Sequence, residues 1–456
     1  MIRFLPLGGA GEIGASCFYL YISGTGILLD CGIHPRKNGI ESLPNLDGLK
    51  NLSLDFCFIS HAHQDHIGSL PFLVQRYPHV IIYSTAQTRE IADITLHNAV
   101  NILSQNESAD SDFKIYTHEE IDFLVRSIRE CEYQKAISVT GMRHSSNEPI
   151  KITFYDAGHI LGSASILIEH NGKKMFYTGD ISLADQSIMV GADLKNLRNI
   201  DTLILETTYG STDSSKLGTW NSEQIRFVKE ANKILNNGGS VLIPVFALGK
   251  TQEMLATIFK LMKKGKLTET NIYTGGISKN ISKIYDRNRY LVRRTDPNFE
   301  LDNIEQIDLP GIEDMNEFRK NPGIILAASG MMIEGTTSFK LANYWLKQDN
   351  FAVFGVGYMD QDTPGFRIMN SMCGDKIQFG KFSEPRKMNC TVERFYFPSH
   401  AKREDLIQVV DKTNPKKVIL VHGENDSQNW VGGEILKRYP NTKVYSADAD
   451  KIISIV

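Results

Sequence analysis

Residues 61–66 read HAHQDH. They lie between an apolar run, DFCFIS at 55–60, and a stretch from Ile67 to Arg76 whose spacing predicts a helix. A strand that ends on three histidines and an aspartate places four metal-binding groups on one strand-to-helix turn. In such a turn, alternating side chains converge on one point while adjacent ones serve a second point nearby. His61 and His63 therefore suit one metal ion, and Asp65 with His66 a second. Neutral imidazole and carboxylate at this density fit Zn²⁺, and also Fe²⁺ or Mn²⁺. The alternative is a polar turn with solvated histidines. With 12 histidines in 456 residues, chance yields this spacing in roughly one chain in a few thousand.

One turn cannot close two coordination shells, so further ligands must come from elsewhere. Asp30 ends the strand-like ILLDCG, His159 sits in DAGHILGSA, Asp180 ends FYTGD and His422 closes VILVHGE. Each is a lone polar group where an apolar run meets a glycine-flanked loop. Singly, each reads as a capping or turn residue. Together with HAHQDH they predict one centre assembled from several strand ends.

The remaining text predicts an α/β chain. SCFYLYIS, TGILLDCG and LDFCFISH predict a β-meander over the first 60 residues. THEE at 117–120 is a capping box opening a helix over 117–128. KITFYDAG, SASILIEH, KKMFYTGD and TLILETT are further strands, with Asn171-Gly172 as a hairpin turn. After about residue 210, helices at 222–236 and 250–262 alternate with SVLIPVFALG, NIYTGG, GIILAASG and FAVFGVG, the rhythm of an open parallel sheet. Strand, helix and strand follow from about 390. Residues 211–385 are read as an insertion into a domain formed by 1–210 and 386–456, with the chain crossing between them near 208 and 388.

Composition sets outer limits. Hydrophobic residues at 41 % and charged residues at 23 % allow a large core and exclude wholesale disorder. A net charge of −3 excludes a uniformly basic coat, so any polyanion site is local. No apolar run reaches the ~18–20 residues of a membrane span, and Pro6 with Gly8 and Gly9 interrupts the N-terminus too early for a secretory signal. Cys17, Cys31, Cys57, Cys131, Cys373 and Cys390 form no C-x-x-C pair, which predicts reduced thiols and a cytoplasmic protein that touches no membrane.

The series Asp30, HAHQDH, His159, Asp180 resembles the metallo-β-lactamase superfamily of dinuclear hydrolases. Glu206 in LETTYG, GGSVLIPVFALGKTQE, IILAASGMMIEG, Ser399-His400 and His422-Gly423-Glu424 are similar to its β-CASP branch of nucleases, and the resemblance covers essentially the whole chain. GGAGEIGASCFYL is closer to the RNA 3′-end-processing endonuclease type than to the RNase J type. The resemblance implies an αββα metallo-β-lactamase sandwich with an inserted parallel-sheet α/β β-CASP domain that closes over RNA. It implies a minimal form, without the KH extensions of some relatives or the C-terminal domain of RNase J. It maps His61, His63 and His159 to one metal, Asp65, His66 and His422 to the other, and Asp180 to both. Asp30 becomes a residue that orients the ligand turn. Glu206 and His400 become the acid and histidine that pair beside the scissile phosphate.

The expected activity is that of a ribonuclease, mainly endonucleolytic, with two Zn²⁺ ions (Mn²⁺ or Fe²⁺ as substitutes). Two cations about 3.5–4 Å apart would offset phosphate charge and supply hydroxide at neutral pH. His400, protonated beside Glu206, would be the general acid, with Asp65 and Asp180 completing the catalytic set and leaving a 3′-hydroxyl and a 5′-phosphate. RNA-cleaving members of the family resemble this chain at His422 and DNA-repair members tend to lack that histidine, so the resemblance implies RNA as partner, expected as a single strand, with single-stranded DNA the other candidate and a homodimer as a further expected partnership. Ser329 and Gly330, after a strand, read equally as a tight turn that needs glycine and as amides offered to a phosphate. Arg287 and Arg289, near Arg293 and Arg294 with Tyr285 and Tyr290 interleaved, read first as a solvated helix face; the alternative is a patch that tracks a backbone and stacks a base. Lys250, where relatives often have arginine, lies where RNA would run. The competing readings are a 5′-to-3′ exonuclease or DNA nuclease on the same scaffold, a small-ester or thioester hydrolase, and a non-cleaving RNA-binding subunit. An insertion of this size argues against the ester hydrolase, and the intact ligand set against the non-cleaving subunit.

Overall fold

The computed structural model describes residues 2–105, 116–309, 313–381 and 383–455. Two compact units divide the chain: one takes residues up to Ala184, Gly191–Ser214 and His400 onward, the other Asp185–Val190 and Ser215–Ser399.

The first unit contains two sheets, each of seven strands among the described residues. One runs in the order Ile453–Ser454, Ile2–Gly8, Cys17–Ile22, Thr25–Leu29, Phe56–Phe58, Ile81–Ser84, Arg129–Glu130. The other runs Lys443–Ser446, Lys417–Val421, Thr202–Glu206, Lys173–Tyr177, Ala164–His170, Ile150–Asp156, Ile137–Val139. Phe18, Leu20, Ile27 and Phe58 of the first share a core with Phe154, Ile166, Ile168 and Tyr177 of the second. Phe58 meets Phe154 edge-on at 6.3 Å and Phe18 meets Tyr177 at 5.7 Å. Full burial of each such aromatic contributes on the order of 1.5–3 kcal/mol. The alternate residues of the second sheet, among them Leu203, Leu205 and Leu420, pack against Leu406, Val410, Val431 and Ile435 of helices Arg403–Thr413 and Asn425–Arg438. Leu28, Cys57 and Ile82 are buried on the first sheet outside the shared core. Both sheets are therefore covered on both faces.

The expected meander holds only for three strands. Ile2–Gly8, Cys17–Ile22 and Thr25–Leu29 pair antiparallel, but Phe56–Phe58 pairs parallel to Thr25–Leu29, with Leu29 opposite Phe58. The intervening segment, with its short turns Gly39–Ser42 and Leu46–Leu49, is a crossover rather than a hairpin. The consequence is functional: Asp30 and the 60–66 turn leave the sheet at the same, carboxyl end of neighbouring strands. Lys173–Tyr177, Thr202–Glu206 and Lys417–Val421 are likewise mutually parallel neighbours. Asp180, Glu206 and His422 therefore also collect at carboxyl ends of strands, where open α/β sheets bind ligands. Local signals held as expected. Thr117 caps helix His118–Ser127 in a complete capping box with Glu120, and Asn171 and Gly172 join antiparallel strands with φ of 48° and 69°.

The second unit is built on six strands, every adjacent pair parallel, in the order Ile307–Asp308, Asn271–Thr274, Gly323–Ala327, Val241–Pro244, Ala352–Gly355, Thr391–Arg394. Leu242, Ile325, Val353, Trp345 and Phe351 lie in its core. The division differs from the 211–385 boundaries in two places. Thr391–Arg394 adds to this sheet. Asp185–Val190 is also held here: buried Glu253 accepts the amides of Ile188 and Met189 at 2.8 and 3.0 Å, and Lys260 Nζ donates to the Ser187 carbonyl at 2.7 Å. The chain thus crosses between units at four points rather than two. Five cysteines are buried and Cys373 is exposed. Among the described residues no helix is long and apolar enough to cross a membrane.

Candidate metal centre

The centre lies in the first unit and is assembled from strand ends. His61 Nε2 and His159 Nε2 lie 3.1 and 3.2 Å from His63 Nδ1. Asp180 Oδ2 lies 3.5 Å from His61 Nε2 and 3.8 Å from His159 Nε2. On the other side, Asp65 Oδ2 lies 3.2 Å from His422 Nε2 and 3.8 Å from His66 Nε2. Asp180 Oδ2 is also 3.4 Å from His66 Nε2, and its Oδ1 is 3.1 Å from His422 Nδ1. The seven residues thus form two donor groups, His61–His63–His159–Asp180 and Asp65–His66–His422, with Asp180 within reach of both.

The supports explain which nitrogen each imidazole presents. Asp30, fully buried and held at φ 59° where its strand ends, accepts from Ser60 N, Ser60 Oγ and Tyr177 OH at 2.6, 2.6 and 2.7 Å and bonds His66 Nδ1 at 2.8 Å. Its carboxylate can only accept, so His66 donates through Nδ1 and turns Nε2 toward Asp180 and Asp65; burial works against the imidazolium, but the charges of Asp180, Asp65 and Asp30 outweigh it and hold the His66 pKa well above the ordinary value. That Nε2 is buried and has no hydrogen-bond partner. Ser60 Oγ, donating to Asp30, can accept from His61 Nδ1 at 3.0 Å, which leaves His61 Nε2 bare. Thr208 Oγ1 lies 3.2 Å from His422 Nδ1, and Ser163 Oγ accepts the His159 amide at 3.1 Å.

Charge follows geometry. Burial acts to raise the Asp180 carboxyl, but the imidazoles of His422, His66, His400 and His61 outweigh it and hold it well below the usual range. Asp65 is lowered too, burial again being outweighed, by His66 and His422. Burial and then His66 push His61 well below an ordinary imidazole. Ionised carboxylates, a neutral buried imidazole at His61 and a buried imidazole nitrogen at His66 without a hydrogen-bond partner suit a divalent cation, which would take the place of the His66 proton. The residues present fit a metal pair.

Beside this group, His400 Nδ1 lies 3.2 Å from Glu206 Oε1 and 3.9 Å from Asp180 Oδ2. Glu206 is fully buried and accepts the amides of Ile181 and Thr208 at 3.2 and 2.9 Å, tying the Asp180 loop to its own turn. All ten sequence-derived residues of the centre are therefore brought together. Ser60, Tyr177, Thr208 and Ser163 were not foreseen, although all four stand inside quoted motifs, DFCFIS, FYTGD, LETTYG and DAGHILGSA.

The residues expected to contact substrate in the second unit fare differently. Tyr285 is fully buried and cannot stack a base, because Ile281, Ile284 and Tyr285 form the inner stripe of helix Ser278–Arg287. Arg289 is held by Glu300 at 2.6 Å and lies over the ring of Tyr290, which is itself 65 % exposed. Arg287 is exposed at the helix end and Arg294 is buried. Lys250 is buried, with Nζ donating to the Phe397 carbonyl, and burial lowers its pKa to about 8. Ser329 Oγ accepts the Ile333 amide at 3.2 Å and Gly330 is buried; at the start of helix Thr337–Trp345, Ser338 gives its amide to the Ala328 carbonyl at 2.8 Å and its hydroxyl to the Ser329 carbonyl at 2.7 Å.

Comparison with known proteins agrees with this architecture. Residues 19–208 match the metallo-beta-lactamase superfamily domain, 251–368 the Beta-Casp domain, and 385–439 the Zn-dependent metallo-hydrolase RNA specificity domain. An RNase J-like protein of Methanocaldococcus jannaschii is 32 % identical over 91 % of this chain and 91 % of its own length. Cleavage and polyadenylation specificity factor 73 of Drosophila melanogaster is 29 % identical over 96 % of this chain and 62 % of its own, and endoribonuclease YSH1 of Saccharomyces cerevisiae 28 % over 97 % and 57 %. The chain thus spans less than two thirds of these eukaryotic relatives. A solved protein of unknown function from Enterococcus faecalis V583 shares the fold, with a TM-score of 0.57 and 14 % identity over 99 % of both chains. Two donor groups sharing an aspartate, on a doubly covered pair of sheets interrupted by a parallel-sheet unit, place this chain in the β-CASP family of the metallo-β-lactamase superfamily.

Proposed function

We propose that this chain is a metal-dependent ribonuclease that hydrolyses single-stranded RNA, mainly at internal bonds, to a 3′-hydroxyl and a 5′-phosphate. The observation that carries the reading is Asp180 standing between two donor groups with the His400–Glu206 pair beside it. His61 Nε2, His63 Nδ1 and His159 Nε2 would hold one ion, and Asp65 Oδ2, His66 Nε2 and His422 Nε2 the other, with Asp180 common to both. Imidazole-rich sets with carboxylate favour Zn²⁺, and Mn²⁺ or Fe²⁺ fit the same donors. Divalent ions there supply positive charge to the phosphodiester and make water acidic enough to attack near neutral pH.

The protein's own groups do the rest. Asp30 and Ser60 fix the tautomers of His66 and His61. Glu206 holds His400 by Nδ1, which frees Nε2 to face substrate. Attack at phosphorus breaks the bond to the 3′-oxygen, and that oxygen takes the proton from His400. The ribonuclease names of the relatives support RNA as substrate. A second reading, a 5′-to-3′ exonuclease, is favoured by the likeness to an RNase J-like protein over nine-tenths of both chains. RNA labelled at either end, with matching DNA beside it, decides. Internal fragments from RNA alone support the proposal and mononucleotides the second reading. No cleavage by fully metallated protein would overturn both.

A further inference from the structure

Away from this centre, helices Ala86–Gln105 and His118–Ser127 pack together. The first carries Asp93, His97 and Asn101 at four-residue spacing, and the second carries His118 and Asp122 at the same spacing. Residues four apart share a helix face, so the two rows meet across the helix pair. His97 Nε2 lies 3.4 Å from Asp93 Oδ1 and 3.3 Å from Asp122 Oδ1. Donors bound at about 2.0–2.1 Å around a tetrahedral ion stand about 3.3–3.4 Å from one another, so this spacing, which also suits hydrogen bonds, has room for an ion among the three.

The far side of the imidazole is fixed as well. His97 Nδ1 lies 2.7 Å from His118 Nδ1, with the rings 17° apart in plane and 4.9 Å between centroids, and His118 Nε2 lies 3.2 Å from Asn101 Oδ1. With the proton on His97 Nδ1 and shared toward His118, the Nε2 lone pair points at two carboxylates. A cation between them removes that repulsion, and a partner on the distal nitrogen is how proteins orient metal-bound imidazoles.

We infer that Asp93, His97 and Asp122 form a separate mononuclear site for a divalent transition metal of the Zn²⁺ class, with His118 orienting His97. Two carboxylates balance the ion's charge, the imidazole selects against Mg²⁺ and Ca²⁺, and half-exposure leaves the fourth position to water. The site clamps the two helices and shares no residue with the dinuclear centre.

Equilibrium dialysis of the full-length wild type, His97→Ala and the near-isosteric Asp122→Asn against micromolar free Zn²⁺ tests this by difference, whatever the other centre binds. The expected result is one equivalent more on the wild type than on either variant, a larger Zn²⁺-induced rise in melting temperature for the wild type, and unchanged RNA cleavage in all three. Equal equivalents on wild type and Asp122→Asn would overturn the site and leave the cluster held by protons alone.

Discussion

Asp30 touches no proposed ion, yet two hydroxyls, one backbone amide and one imidazole converge on it. Asp30→Asn replaces one accepting oxygen with a donor, and His66 loses the partner that fixes its tautomer. Metal affinity should fall about 10- to 100-fold, read as faster loss of metal to a chelator; wild-type retention would contradict the role. His400 acts later in the reaction. His400→Ala should leave metal content intact and lower turnover by roughly 10²–10⁴-fold. Burial works against its imidazolium, and the carboxylates of Glu206 and Asp180 outweigh burial and raise its pKa above the ordinary value. An acid catalyst works while protonated, so turnover should fall as pH rises through that raised pKa. Glu206→Gln should move this alkaline limb to lower pH, and an unmoved limb would separate His400 from the pH dependence. The ligands were legible in sequence because each stands alone where an apolar run stops. Ser60 and Tyr177 were not, since a hydroxyl at or just past a strand end looks like an ordinary core-edge residue until the strand it faces is known.

Local chemistry predicts elements and fails to pair them. Thr117 and Glu120 announce a helix start on their own, and Thr117→Ala should destabilise the protein by about 1 kcal/mol in a denaturant titration. Gly172 holds φ of 69° in open space, with no atom within 4 Å of where a Cβ would stand. Gly172→Ala should therefore cost about 1–2 kcal/mol through backbone strain alone, and a neutral substitution would show that the turn relaxes. The parallel pairing of Phe56–Phe58 with Thr25–Leu29 was missed because nothing within either strand encodes which neighbour it joins. Tyr285 was misread for a different reason. Ile281, Ile284 and Tyr285 follow helical spacing, which marks a buried face, while the arginines beside them belong to other faces and to the segment after the helix.

Across the whole chain, ligands from residue 61 to residue 422 meet only when both sheets of the first unit are formed. Ions bound there stabilise the folded state by mass action, so prolonged chelation should lower the melting temperature by several degrees, on the order expected for a tight ligand, and added Zn²⁺ should restore it. The alternation of strands and helices was enough to separate two architectures in the sequence. It did not reveal that Asp185–Val190 belongs with the later unit, because that attachment is made mostly through backbone groups, with amides received by Glu253 and carbonyls given hydrogen bonds by Lys260 and Thr295. The most direct test of the account is an anomalous difference map at the zinc edge from Zn²⁺-loaded crystals. Two peaks flanking Asp180, one among His61, His63 and His159 and the other among Asp65, His66 and His422, are predicted. An empty map at Asp180 with zinc in excess would contradict it.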